Sequence, residues 1–168
     1  WWGVDVVEPG TGVGGFVRLA RVRGRCWYWA YLVGPDIGLV AVRDHDVAPP
    51  RRPGVLEVRA DSLWAELVRD PGERAAPDGV GEHWALGLEA FGLRLDSARD
   101  AWTREIGERL PVGFDLEWEI TEGAAVEGAG TVRGEILLAR ERVPVDGHGV
   151  FRYVAAPHTE WPRAWRGW

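Results

Sequence analysis

The sequence predicts an all-β domain, an antiparallel barrel or strongly curved sandwich of about eight to ten strands with one short helix. Three observations carry that expectation. Short stretches of alternating apolar and polar residues recur along the 168 residues. The 23 glycines and 11 prolines fall between these stretches as punctuation instead of pooling in one flexible linker. Only one segment has helical spacing.

The elements follow in order. Gly10-x-Gly12-x-x-Gly15 has the spacing of a dinucleotide-binding turn, but that mechanism needs a helix next, whose first amides meet a pyrophosphate. Phe16–Val22 follows instead and alternates, so the glycines read as a hairpin turn. Cys26–Val33 and Ile37–Arg43 are joined by the turn Gly34-Pro35-Asp36, and Val55–Arg59, Leu63–Val68 and Trp84–Phe91 continue the pattern. Arg69–Gly81 is expected as an exposed loop. Ser97–Arg109 places Ala98, Ala101, Trp102 and Ile106 at helical spacing behind an Asp96 or Ser97 N-cap, which predicts a short helix across a barrel mouth or sheet edge. Phe114–Ile120 is the clearest strand, with Phe114, Leu116, Trp118 and Ile120 on a dry face and Asp115, Glu117 and Glu119 on a wet one. Thr131–Ala139 and Gly149–Ala155 complete the set.

Composition excludes several classes. The length fits one domain, and no apolar run approaches the ~20 residues of a membrane-spanning helix. A net charge of −6 argues against nucleic acid as a partner. A single cysteine, Cys26, permits no internal disulfide and no cysteine-built zinc site, which points to a reducing compartment and a cytoplasmic location. Neither of the two serines, Ser62 and Ser97, sits in a nucleophile elbow, and Cys26 reads as a small core residue. The densest candidate ligand groups for a metal, Asp44-His45-Asp46 and Asp146-Gly147-His148, lack metal-site spacing, so no metal and no cofactor are expected.

Tryptophan stands out, with 11 of 18 aromatic residues. Alternation in Cys26–Tyr31 places Trp27, Trp29 and Tyr31 on one face, and Trp84 and Trp118 on other strands are expected to converge with them on one interior wall. Such a wall serves either as a solid aromatic core or as the lining of a ligand cavity, since barrels of about eight strands accommodate both.

Val6–Arg18 (VVEPGTGVGGFVR), Glu82–Leu88 (EHWALGL), Gly113–Trp118 (GFDLEW) and Arg133–Gly149 (RGEILLARERVPVDGHG) together resemble, in the same order, the N-terminal half of the hydroxyneurosporene synthase/AttH-like family, which includes carotenoid 1,2-hydratases. The resemblance implies a lipocalin-like barrel over residues 1–168, one half of a two-barrel protein. Its partner would be a second barrel in cis or another copy of the chain. Where the family carries an Arg-Asp-His-Ser-Trp-Gly-like strand, this chain reads Gly147-His148-Gly149-Val150-Phe151-Arg152-Tyr153-Val154. Three functions follow. The first is binding of a hydrophobic small molecule, isoprenoid or polyketide-like, by Trp27, Trp29, Tyr31, Trp84 and Trp118. The second is a hydratase or cyclase that protonates an alkene, with Asp115 or Asp146 as a carboxyl raised by burial and His148 and Tyr153 as polar partners. The third is a scaffold barrel packed on a sister domain, with the tail tryptophans Trp161, Trp165 and Trp168 expected to bury themselves on this barrel or its neighbour.

Overall fold

The computed structural model describes residues 2–22, 24–49, 56–60, 63–70, 81–102, 106–124 and 127–153. Nearly all of them lie in ten strands: β1 (Trp2–Glu8), β2 (Val13–Val22), β3 (Arg25–Gly34), β4 (Gly38–Val47), β5 (Leu56–Ala60), β6 (Leu63–Asp70), β7 (His83–Leu95), β8 (Gly107–Ala124), β9 (Glu127–Leu138) and β10 (Glu141–Tyr153). Every pairing is antiparallel, in the order β4-β3-β2-β1-β10-β9-β8-β7-β6-β5. A further pairing of β4 with β7 closes β1–β4 and β7–β10 into an eight-stranded barrel of lipocalin-like architecture.

Closure is short and asymmetric. β4 meets β7 only through Leu39–Leu95, Val40–Arg94 and Ala41–Leu93. From Ala90 back to His83, β7 pairs instead with β6, so the β5–β6 hairpin is wedged between the two strands at one end. β6 delivers Ala65 and Leu67 to the same core as the other strands, which makes the hairpin part of the wall. Eight strands therefore close the barrel at one end, and at the other the β5–β6 hairpin extends the sheet from β7. Gly92 stands where β7 changes partner. A Cβ there would lie 2.9 Å from the Ala41 carbonyl oxygen and 2.9 Å from Val112 Cγ2, so a larger residue would push the two strands apart. Irregular pairing between Cys26 and Tyr28 (β3 on β4) and between Ile120 and Glu122 (β8 on β9) lies at the wider end, where bulges bend and twist strands.

The predicted strands are all present, and Phe114, Leu116, Trp118 and Ile120 face the core while Asp115, Glu117 and Glu119 are exposed. The structure adds β1, which sequence reading passed over, and starts β10 at Glu141 rather than Gly149. The expected helix is reduced to a 3-10 turn over Ala98–Trp102, held by Asp100 N–H donating to the Ser97 carbonyl at 3.0 Å. β7 and β8 stay paired up to Leu95 and Gly107, and Asp96 N–H donates to the Ile106 carbonyl at 3.1 Å. The connection thus leaves and re-enters at neighbouring strands, and the stretch 103–105 of the expected helix lies outside the described residues. Of the Arg69–Gly81 loop, Arg69 and Asp70 belong to β6 and the stretch 71–80 lies outside the described residues, as do Trp161, Trp165 and Trp168.

Gly15 belongs to β2, while Gly10 and Gly12 lie in the hairpin turn between β1 and β2. The Glu8 carboxylate closes it, accepting from Thr11 Oγ1 and Thr11 N–H and, at 2.9 Å, from Gly10 N–H, while Gly12 N–H donates to the Glu8 carbonyl at 3.0 Å. These bonds, the Thr11 hydroxyl first, hold the Glu8 carboxyl below its ordinary 4.5. A depressed carboxyl stabilises the fold above its unfolded value and loses that contribution as pH falls through its folded value. Glu8→Gln is expected to lower the urea midpoint at pH 7. It should also flatten the decline in midpoint below pH ~4.5 relative to the parent, measured by circular dichroism over an acid titration series.

Candidate functional site

Period-two alternation decides which aromatic residues reach the interior. On β3 the buried residues are Cys26, Tyr28, Ala30 and Leu32, and Trp27, Trp29 and Tyr31 are the half-buried residues between them. The single interior wall expected from the sequence therefore divides: Trp27, Trp29 and Tyr31 lie on the outer face, and Trp84 and Trp118 lie on the inner one. The outer group forms its own surface. Trp27 and Trp29 meet edge to face at 5.6 Å, Phe16 and Tyr31 are 5.2 Å apart, and the Arg18 guanidinium lies 5.0 Å from the Phe16 ring. Arg18 is only 9% exposed and donates to the Val4 and Val17 carbonyls at 2.9 Å and to the Asp5 carboxylate. Asp5 also meets Arg152 at 3.6 Å, and Arg152 meets Glu127 at 2.7 Å, so a chain of charges laces β2, β1, β10 and β9 on the outside.

Inside, the wider end holds an aromatic cluster. Trp84 and Trp118 are direct cross-strand partners on β7 and β8. Trp84 stacks on Phe151 of β10 with ring centroids 4.5 Å apart. Trp118 is 3% exposed and lies across glycines: a Cβ on Gly130 would sit 2.9 Å from its Nε1, and one on Gly149 would overlap its Cη2. The large ring on β8 is thus accommodated by missing side chains on β9 and β10.

Tyr28, on β3, is completely buried in this interior. Its hydroxyl has no hydrogen-bond partner among the described residues, and neither has the Trp118 indole nitrogen. Burial pushes the Tyr28 phenol far up from its ordinary value, so it stays protonated and remains a donor across the physiological pH range. An unsatisfied buried donor costs about 1–3 kcal/mol, which is why few are found in folded proteins. Sequence reading missed Tyr28 because its bulkier neighbours Trp27 and Trp29 drew the assignment to the opposite face. The signal available was the alternation itself, in which Cys26, Ala30 and Leu32 mark Tyr28 as core.

The acid–base candidates do not gather here. Asp115 is exposed on the outer face of β8. Asp146 is exposed on β10 and pairs with Arg133 at 3.3 Å, and His148 is exposed two residues along the same outer face. Asp115 thus lies on the wet face that alternation assigns it, and Asp146 and His148, which alternate with the inward Val145 and Gly147, are corrected from interior to exterior positions; none of the three is a buried acid. The side chain of Tyr153 lies outside the described residues, as does that of His45. Among the described residues no three His, Cys, Asp or Glu side chains come together as metal ligands. No helix among them is long and apolar enough to cross a membrane.

No protein-family model, curated protein or solved structure matches the chain. Function therefore has to be argued from the barrel and its interior.

The Trp118 arrangement makes a direct prediction. Gly149→Ala places a methyl group in the space of the indole and is expected to cost about 1–3 kcal/mol, the usual range for overpacking against a buried side chain. Chemical denaturation reads the loss, and near-ultraviolet circular dichroism reads the displaced indole. An unchanged unfolding midpoint would show that the ring has another resting place.

Proposed function

We propose that this barrel binds a hydrophobic small molecule inside its wider end. The observation that carries the reading is the aromatic cluster of Trp84, Trp118 and Phe151 inside an eight-stranded barrel, at the end where the β5–β6 hairpin pairs with β7. Small-molecule sites are concave, mostly apolar and aromatic, with a few polar groups that fix orientation, and the mouths of β-barrels are among their usual places. Trp84 is only partly buried and packs on the core, so it stands between the sealed interior and the rim. The resemblance of Val6–Arg18, Glu82–Leu88, Gly113–Trp118 and Arg133–Gly149 to hydroxyneurosporene synthase/AttH-like proteins supports an isoprenoid or polyketide-like ligand. In this reading the outer tryptophans Trp27 and Trp29 take no part in holding it.

The test uses all-trans-retinol, an isoprenoid alcohol whose own fluorescence reports transfer from water to an apolar site. The chain is expected to bind it saturably. Trp84→Ala should weaken binding by about tenfold, equivalent to ~1.4 kcal/mol, and Trp29→Ala should leave the dissociation constant unchanged. Absence of saturable binding to the folded parent would identify the interior as a solid core. Equal losses in the two variants would place the ligand outside the barrel.

A further inference from the structure

The aromatic cluster accounts for an apolar ligand, but not for the two buried donors. Tyr28 Oη on β3 and Trp118 Nε1 on β8 belong to strands on different sides of the barrel, both in the half where β3 begins and β8 ends. Each is buried, each faces the core by alternation, and neither has a partner among the described residues. A hydrocarbon would leave both unsatisfied on binding. The charge of an acceptor is constrained as well. Among the described residues the buried charged side chains are Glu8, Arg18 and Glu82. Arg18, the one cation, is committed to Asp5 and to two carbonyls on the outer face. Arg94, opposite Val40 on the inner side of the narrow seam, pairs with Glu108 at 3.5 Å, so on the inner face of the wider end an anionic headgroup would meet no described cation, and an unpaired buried charge is far more costly than an unpaired dipole.

Resting on the ligand-binding reading above, we infer that the ligand carries a neutral hydrogen-bond acceptor, a carbonyl or ether oxygen, which Tyr28 Oη and Trp118 Nε1 receive inside the barrel. The apolar cluster supplies affinity, and the donors supply selection for oxygenated molecules over hydrocarbons and over carboxylates. Tyr28 remains a donor at all working pH values.

Three molecules on one skeleton test it: retinal with its aldehyde, retinoate with its carboxylate, and deoxyretinol with no oxygen. Their dissociation constants are measured by quenching of tryptophan fluorescence on the full chain. Retinal is expected to bind about fivefold to tenfold tighter than deoxyretinol, the scale of one net hydrogen bond, with retinoate the weakest of the three. Tyr28→Phe should remove most of the advantage of retinal and leave deoxyretinol unchanged, and Trp118→Phe provides a second reading of the same loss. The comparison on the parent chain requires no variant, so a variant that fails to fold does not blunt the test. Deoxyretinol binding as tightly as retinal would show that water already serves the two donors, overturning this inference while the ligand-binding reading stands. Retinoate binding tightest would overturn the neutral-acceptor assignment. No binding by any of the three would overturn both readings together.

Discussion

A sheet with one apolar face has to hide that face, and here it does so by closing on itself through three residue pairs between β4 and β7. The rest of the architecture depends on that short seam. It turns a ten-stranded ribbon into a barrel with an inside, and it leaves the remainder of β7 available to β6. Gly92 keeps the seam narrow, because a side chain there would press on the Ala41 carbonyl and on Val112. Barrel width is therefore decided locally, by where one strand exchanges one neighbour for another.

Filling that interior follows a rule of compensation. Close-packed cores tolerate little surplus volume, so a ring on one wall requires an absence on the facing wall. Trp118 occupies the space above Gly130 and Gly149, and Trp84 lies against Phe151. β3 meanwhile contributes Cys26 and Ala30 on either side of Tyr28. The large indoles of β3 are turned outward, where they meet each other, and Tyr31 beside them meets Phe16 of β2.

The same rule explains what could be read from the sequence. Phe114–Ile120 was legible because its two faces differ in polarity, so solvent alone fixes which one turns inward. Cys26–Leu32 is apolar on both faces, and hydrophobicity gives no answer there. Residue size suggested that Trp27 and Trp29 faced in, whereas Cys26, Tyr28, Ala30 and Leu32 are the buried set. The carboxylate candidates failed for a related reason: Asp146 finds Arg133 across the sheet, a partner that no local pattern announces. β1 escaped notice because its described inward side chains before Glu8 turns to the hairpin are two small ones, Val4 and Val6.

The pairing of β1 with β10 has a consequence for how the chain reaches this state. Val4 lies opposite Phe151, and Asp5 is tied by charge to Arg152, so the first strand is completed by the last. Hairpins such as β1–β2 and β9–β10 assemble from neighbours, but the ring cannot shut until nearly the whole sequence is present. Contacts of such long separation are formed at a high entropic cost and slow the search. During that interval β1 offers a bare edge to any other strand within reach, a hazard that ends only when β10 arrives.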